Sequence, residues 1–398
     1  MVYRKALKSV KHEKRHTKLD ITNTLVLLVL LTLSCIMVYS ASMIGNKYGI
    51  FTSSVPVETT YFLKRQAIWA VLSFITFIFI SVAIPFEVFR DKNILQYGFF
   101  AMVILLVIPF ASSSINGARS WIRLGALSFQ PSTLAQLFII IYMAFILETR
   151  KDKLRKVCTS NELINIFWIP LFLIAIIFFQ NDTGMMLITL SVVGIMTLCS
   201  NMHFKNIKRL LTLAVMAIVI VVALLFVKSA FSSGSSYRTN RIKVFLNPFS
   251  EDLSAAADQV INSYIAFGNG GLFGRGLGNS IQKLGYLPEA HTDFILAIIA
   301  EELGLIGVLF VIGLLTALIC RVIIAGTKSR NTFAAMYCIG FASLLVVQSV
   351  VNIGGVTASI PMTGVPLPFV SNGGSSMFIL SIGSVSYTHL RAHETRHD

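Results

Sequence analysis

Asp293 lies in the run Pro288, Glu289, Ala290, His291, Thr292, Asp293, immediately before a long apolar stretch. A carboxylate so placed has two uses. It can take a proton from an attacking hydroxyl, or it can share with Thr292 the capping of the helix that follows, where negative charge suits the N-terminal dipole. Residue chemistry leaves both open. Glu301 and Glu302 follow in the same apolar stretch, and on one continuous helix they would stand about 80° and 180° round from Asp293. They cannot both share its face. Ionisable groups within a span are costly, so at least one of the two should find a basic partner, and a purely structural ion pair is the plain alternative to chemistry.

Upstream, Gly268, Gly270, Gly271, Gly274, Gly276 and Gly278 crowd into one segment, where glycine allows tight turns and close approach to a ligand. A dinucleotide site is rejected, because no alternation of strands and helices surrounds the cluster. Residues 116–136 read NGARSWIRLGALSFQPSTLAQ. Arg119 and Arg123 flank Trp121, which suits an anionic headgroup or a sugar face. The alternative is an ordinary interfacial tryptophan with snorkelling neighbours. Lys64, Arg65 and Gln66 open a further span, QNDTG occupies 180–184, and PMTGVPLPFVSNGGSS, with Ser375, occupies 361–376. Prolines and glycines at membrane depth are tolerated only where the broken backbone is buried in protein or lines a cavity. Cys35, Cys158, Cys199, Cys320 and Cys338 show no paired spacing, so neither a disulfide framework nor a metal cluster is read from them.

The elements that must position these groups are membrane helices. The chain has 398 residues, 55% of them apolar and 13% charged, with a mean hydropathy of +0.76, far too apolar for a soluble domain. Its formal charge of +15 is dispersed between apolar runs and forms no stripe, so no nucleic-acid partner is expected. Apolar runs predict an all-α polytopic protein with spans near 21–42, 65–84, 94–111, 130–147, 164–180, 184–200, 210–227, 293–320 and 333–352, and a tenth from Ser375. Basic residues place the N-terminus inside: twenty fall in the inner segments, including seven in the tail 1–20, against eleven in the outer ones. One transmembrane domain, 21–385, then carries a large outer loop at 228–292 between the seventh and eighth spans, with no evident secondary structure of its own. The tenth span is cut short near Val385, and residues 386–398 form an atypical tail that looks appended to the domain.

These segments resemble the SEDS family of FtsW, RodA and SpoVE. The resemblance rests on NGARSWIRLG with QPS, QNDTG, RIKVFLNP, GGLFGRGLGNSIQKLGYLPEAHTDF with AEELG, and PLPF with SNGGSS, in family order from about Arg65 to Gly383. GLGNSIQKLGYLPEA points to the FtsW side. The resemblance implies a peptidoglycan glycosyltransferase that polymerises lipid II at the outer face of the bacterial cytoplasmic membrane, at the division septum. It implies Asp293 as catalytic base and Trp121 with nearby basic residues in the substrate cavity. Arg65, Arg119, Arg123, Arg238, Arg241 and Lys243 are candidate pyrophosphate partners, with His291 and Ser375 beside them. A divalent cation, Mg²⁺ or Mn²⁺, can assist the leaving group, although no dedicated ligand cluster is evident. A class B penicillin-binding transpeptidase and other divisome proteins are the implied partners. The family's charged Glu and Lys near the fourth span are replaced here by Thr133 and Gln136. Two rivals are a lipid II flippase, which needs polar groups reachable from both faces, and a scaffold that only recruits a transpeptidase.

Overall fold

Apolar runs become helices here because a bilayer offers no water to backbone N–H and C=O groups, and a helix satisfies them within one segment. In this computed structural model the described residues are 20–51, 55–83, 86–112, 118–124, 127–213, 244–249 and 255–394. The helices are α1 (Ile21–Lys47), α2 (Tyr61–Ala83), α3 (Lys92–Val107), α4 (Pro131–Thr149), α5 (Ser160–Phe179), α6 (Thr183–Leu198), α7 (Ala255–Gly270), α8 (Ile295–Lys328), α9 (Thr332–Val356) and α10 (Gly374–Glu394). Among the described residues seven are long and apolar enough to cross a membrane: α1, α2, α3 with its 3₁₀ extension to Ala111, α4, α5, α8 and α9. Thr183–Leu198 and Gly374–Val385 are shorter apolar helices. The expected seventh span begins as helix at 204–213 and otherwise lies outside the described residues.

The apolar windows of α4 and α9 are 67% buried against 22% for α3, so α4 and α9 form the middle of the bundle and α3 its rim. Around this centre α10 packs on α2, α8 on α9 and α1, and α6 on α9. Several expected boundaries shift. The second helix starts at Tyr61, which puts Arg65 and Gln66 in its second turn. The eighth starts at Ile295, past Asp293.

The outer loop 228–292 also proves less irregular than expected, since it contains α7. That helix is held by a face of small buried residues, Ala257, Val260, Ser263, Ala266 and Gly270, spaced three or four apart and laid against α8. Between residues 112 and 131 a short antiparallel pair forms, β1 (Ile122–Leu124) and β2 (Leu127–Phe129), with Arg123 opposite Ser128.

Helix α8 is two helices joined at Gly304, whose φ of 68° and ψ of −169° leave the helical region. Such a break frees backbone groups at membrane depth, and here the glycine cluster takes them up. Leu305 N–H donates to the Gly271 carbonyl at 2.9 Å and Ile306 N–H to Leu272 at 3.3 Å. In return, Arg275 and Gly276 N–H donate to the carbonyls of Glu301 and Glu302 at 2.9 and 3.0 Å. A side chain at Gly270 or Gly274 would overlap the backbone of Ala300 or Glu302. Gly270 and Gly274 therefore serve approach to α8, where the sequence suggested approach to a ligand.

At the opposite end of the bundle, basic residues tie helices together. Arg321 donates to Asp20 at 2.7 Å and to Asn23 at 2.7 Å, Arg90 pairs with Glu148 at 2.9 Å, and Lys151 reaches Thr332 at 3.2 Å. This end holds the positively charged loops, which retention on the cytoplasmic side predicts. A reporter fused at Lys156 should therefore read as cytoplasmic and one at Asn247 as external; a cytoplasmic signal at Asn247 reverses the orientation.

Gly274 and Gly278 separate backbone strain from crowding. Both have positive φ, 76° and 83°, but a side chain at Gly278 meets open space whereas one at Gly274 meets α8. Gly278→Ala should cost about 1–2 kcal/mol, the left-handed penalty alone. Gly274→Ala should cost a further ~1–3 kcal/mol for overpacking, and thermal unfolding in detergent measures the difference.

Candidate active site

Asp293 is presented by a turn that is closed on Glu289 and tied to two other segments. Thr292 and Phe294 N–H both donate to the Glu289 carbonyl, at 3.1 and 3.2 Å, with Glu289 itself in the left-handed region at φ 57°. The Thr292 hydroxyl closes the turn on the Glu289 carboxylate at 2.7 Å. From α9, the Asn352 amide donates to the Asp293 carbonyl at 2.9 Å and to the Val365 carbonyl at 2.7 Å. From the last loop, Asn372 N–H donates to the His291 carbonyl at 3.0 Å. The N-cap position of the helix falls at Phe294, one residue past Asp293, and the Phe294 side chain makes no cap hydrogen bond. Because the helix begins beyond Asp293, the angular relation expected between Asp293 and the two glutamates does not apply either.

His291 anchors the turn from inside. Its ring is 5% exposed and sits between Phe51 and Phe62, with centroids 4.6 and 4.3 Å away. This apolar burial lowers its pKa to about 4, with the Glu289 charge pulling weakly the other way. Phe62 is on α2, so Arg65, three residues on, lies on a neighbouring part of the same face. The Arg65 guanidinium donates to the Tyr61 hydroxyl at 2.9 Å and stacks over that ring at 5.3 Å. One residue further, Gln66 donates to Ser34 at 2.6 Å and to the Ser371 carbonyl at 3.3 Å, which fastens α1 and α2 to the last loop.

A second group of contacts converges on Gln130, at the N-cap position of α4. Its N–H donates to the Ser375 hydroxyl at 3.2 Å and its side chain to the Asp182 carboxylate at 2.9 Å. Asp182 caps α6 through Met185 N–H at 3.2 Å and accepts from Ser120, next to Trp121. Desolvation raises the Asp182 pKa, and these hydrogen bonds oppose the rise. Arg119 N–H adds a bond to the Gln180 carbonyl at 2.8 Å. Ser120 and QPS, QNDTG and SNGGSS are thus joined through one side chain, and residues 371–375 connect this group to the His291–Asp293 turn. Thr133 and Gln136 close neutral hydrogen bonds: Thr133 donates to the Gln130 carbonyl at 2.7 Å, and Gln136 to Thr189 at 3.2 Å.

Of the residues the sequence suggested, Asp293, His291, Ser375 and Arg65 fall around the last loop and the first turns of α2. Trp121 is half-buried, while Arg119 and Arg123 are exposed beside it on the segment leading into β1 and on β1. Arg238, Arg241 and Lys243 lie outside the described residues. Gln130, Asp182 and Asn352 were not singled out. A polar residue amid the apolar run of α9 was the available signal for Asn352; Gln130 and Asp182 gave none beyond their motifs.

The fold and site define a polytopic α-helical membrane protein with a carboxylate-bearing polar site built from loops at one end of its helices. The chain belongs to the FtsW/RodA/SpoVE family, described as cell cycle protein, whose profile matches residues 21–395. It is 35% identical over 371 residues to the probable peptidoglycan glycosyltransferase FtsW of Geobacter sp. (strain M18), covering 91% of this chain and 94% of the relative. The protein of the same name from Haemophilus influenzae (strain ATCC 51907 / DSM 11121 / KW20 / Rd) is 37% identical over 356 residues, covering 89% and 85%. Among solved structures, a chain from work on structural coordination of polymerization and crosslinking by a peptidoglycan synthase complex superposes with a TM-score of 0.67 at 22% identity, over 94% of this chain and 99% of that one. The rod shape determining protein RodA of Thermus thermophilus gives 0.63 at 23% identity, over 94% and 97%. At those identities the structures speak to the fold.

Stability should depend on pH through His291. Between its ordinary value of 6.5 and its folded value of about 4 the unfolded chain binds a proton that the folded chain refuses. Stability is therefore present above the higher value and falls as pH drops through the window, in full by on the order of 3 kcal/mol. His291→Phe keeps the ring packing and should flatten this part of the profile, read as thermal midpoints at pH 7 and pH 4.5. An unchanged slope assigns the pH dependence to other groups.

Proposed function

We propose that this chain is a peptidoglycan glycosyltransferase that polymerises lipid II at the outer face of the cytoplasmic membrane during cell division, with Asp293 as general base. One observation carries the assignment of the base: the backbone around Asp293 is fixed by Glu289, Asn352 and Asn372. A carboxylate held on rigid backbone, and only half-buried, can meet a hydroxyl at fixed geometry.

In the reaction the 4-hydroxyl of one lipid-linked GlcNAc attacks the anomeric carbon of the other chain's MurNAc. The new C–O bond forms as the bond to undecaprenyl pyrophosphate breaks. The hydroxyl proton passes to the Asp293 carboxylate, and the leaving pyrophosphate takes the electron pair. Arg65, Arg119 and Arg123, with Arg238, Arg241 and Lys243, are the cations proposed to meet that charge, since guanidinium forks suit phosphate oxygens. A half-buried Trp121 offers a ring face to a sugar. Among the described residues no three His, Cys, Asp or Glu side chains gather to hold an ion. A Mg²⁺ or Mn²⁺ taking part would be carried largely by substrate phosphates, as Mg²⁺ usually is.

The partner proposed is a class B penicillin-binding transpeptidase, supported by the likeness in fold to a chain of a complex described as coordinating polymerization and crosslinking. Other divisome proteins, a septal location and a cytoplasmic N-terminus complete the reading. A flippase would use a broken helix as a substrate gate; in this chain the break at Gly304 is filled by the backbone of residues 271–276, which favours chemistry at one face.

Asp293→Asn tests the base. Asn keeps the shape of Asp and caps a helix about as well, so the variant should insert, fold and unfold as wild type does. Polymerisation of labelled lipid II by reconstituted protein with its transpeptidase should fall about 100-fold to 10,000-fold. Activity within about threefold of wild type removes Asp293 from the mechanism. Translocation of lipid II without polymer in the same vesicles reverses the functional reading itself.

A further inference from the structure

Glu302 is fully buried, and so is Lys283, which sits in the outer loop nineteen residues earlier. Their side chains pair at 2.8 Å. Ser40, on α1, bridges them, donating to both Glu302 oxygens at 2.7 Å and accepting from Lys283 Nζ at 3.1 Å. Glu301 grips the same loop from the adjacent position. Its carboxylate accepts from the N–H groups of Ile281 and Gln282 at 3.2 Å each, from Asn269 at 3.1 Å and from the Ser280 hydroxyl. Two neighbouring carboxylates thus hold residues 280–283 to the end of the short half-helix 295–303, just before the break at Gly304. The other end of that half-helix carries Asp293. At about 1.5 Å per residue the rod between them is only ~13 Å long, so a shift at the glutamates moves the carboxylate.

A buried ion pair is a poor way to gain stability. Desolvation consumes most of its attraction, and apolar replacements of similar volume are often neutral or better. What such a pair fixes well is geometry, because a misplaced partner leaves a charge unpaired in a dry site. We propose that Lys283, Glu302 and Ser40 are positioning residues that set the half-helix 295–303, and with it Asp293, for the transfer reaction. The proposal rests on the glycosyltransferase reading for its kinetic test and on geometry alone for its structural one.

The test replaces both charges, Lys283→Met together with Glu302→Gln, because either change alone strands the other charge and can prevent folding. The double variant should insert, unfold within a few degrees of wild type and keep its KM for lipid II within about threefold, while kcat falls about 10-fold to 100-fold, as expected for a small misplacement of a reacting group. Amide exchange in residues 289–294 should quicken about 10-fold, with α9 unchanged. Ser40→Ala, which removes the bridge and leaves the charges paired, should produce a smaller loss of the same kind. Unchanged kcat overturns the proposal, as does a fall in kcat with unchanged exchange, and so does a loss of activity that tracks thermal stability. If the wild-type protein with its transpeptidase makes no polymer, the functional reading fails instead, and the exchange of 289–294 still decides whether the pair positions that turn.

Discussion

Within a bilayer every backbone polar group must find its partner in the protein, and the break at Gly304 shows how much of this chain is arranged around that requirement. Once α8 is interrupted, the groups on either side of Gly304 need a second backbone at hydrogen-bonding distance. So close an approach needs glycine at the points of contact, and Gly270 and Gly274 sit where a side chain would strike the carbonyls of Ala300 and Glu302. The same approach brings residues 280–283 against Glu301 and Glu302, so their hydrogen bonds and the ion pair follow from the backbone pairing. The break also sets the length of the half-helix that ends at the Asp293 turn. A continuous α8 would have no reason to hold the loop, and the loop no reason to be rich in glycine.

The two parts of the site depend on a different kind of joint. Residues 371–375 touch the His291 carbonyl through Asn372, α2 through the Ser371 carbonyl, and Gln130 through Ser375. Phe369, with φ 60° and 2% exposure, turns the chain into this segment while its ring is locked in the core. Gly374 then allows α10 to start against Trp69, which a side chain at that position would overlap. Strain at Phe369 and close contact at Gly374 are what bring the motif segments at the ends of α4, α6, α8 and α10 to one place.

Much of this was legible in the residues. Apolar length alone located the membrane helices, because a 30 Å core needs about 20 residues of helix. The paired fate of Glu302 was legible too, since a charge inside a span must be compensated, yet its partner was not: Lys283 lies in a loop and nothing in its spacing points across to α8. Asp293 read as either a base or a helix cap because sequence places it before an apolar run; what sequence did not show is the turn through Glu289, at positive φ, that puts the helix start at Ile295. Helix α7 escaped notice because its buried face is mostly alanine, serine and glycine, with Val260 the one large apolar residue, and such a face carries little hydropathy. The tertiary hydrogen bonds of Gln130 were likewise beyond any local pattern, since they join positions 52 and 245 residues apart.

Replacement of the family's charged pair by Thr133 and Gln136 fits this division between local and tertiary causes. At Gln130 the hydrogen bonds come from hydroxyl, amide and backbone groups, and Asp182 is the carboxylate among them. The joint between the Trp121 segment and Ser375 is made at contact distance by buried groups, which salt screens little. Among the described residues the fully buried ion pair lies at the far end of the half-helix, where Lys283 and Glu302 face one another away from solvent. Exposed charges, Arg119 and Arg123 among them, lie instead at the surface beside the half-buried Trp121, and under the proposed reaction they can turn toward a pyrophosphate, which a residue committed to a buried pair cannot do.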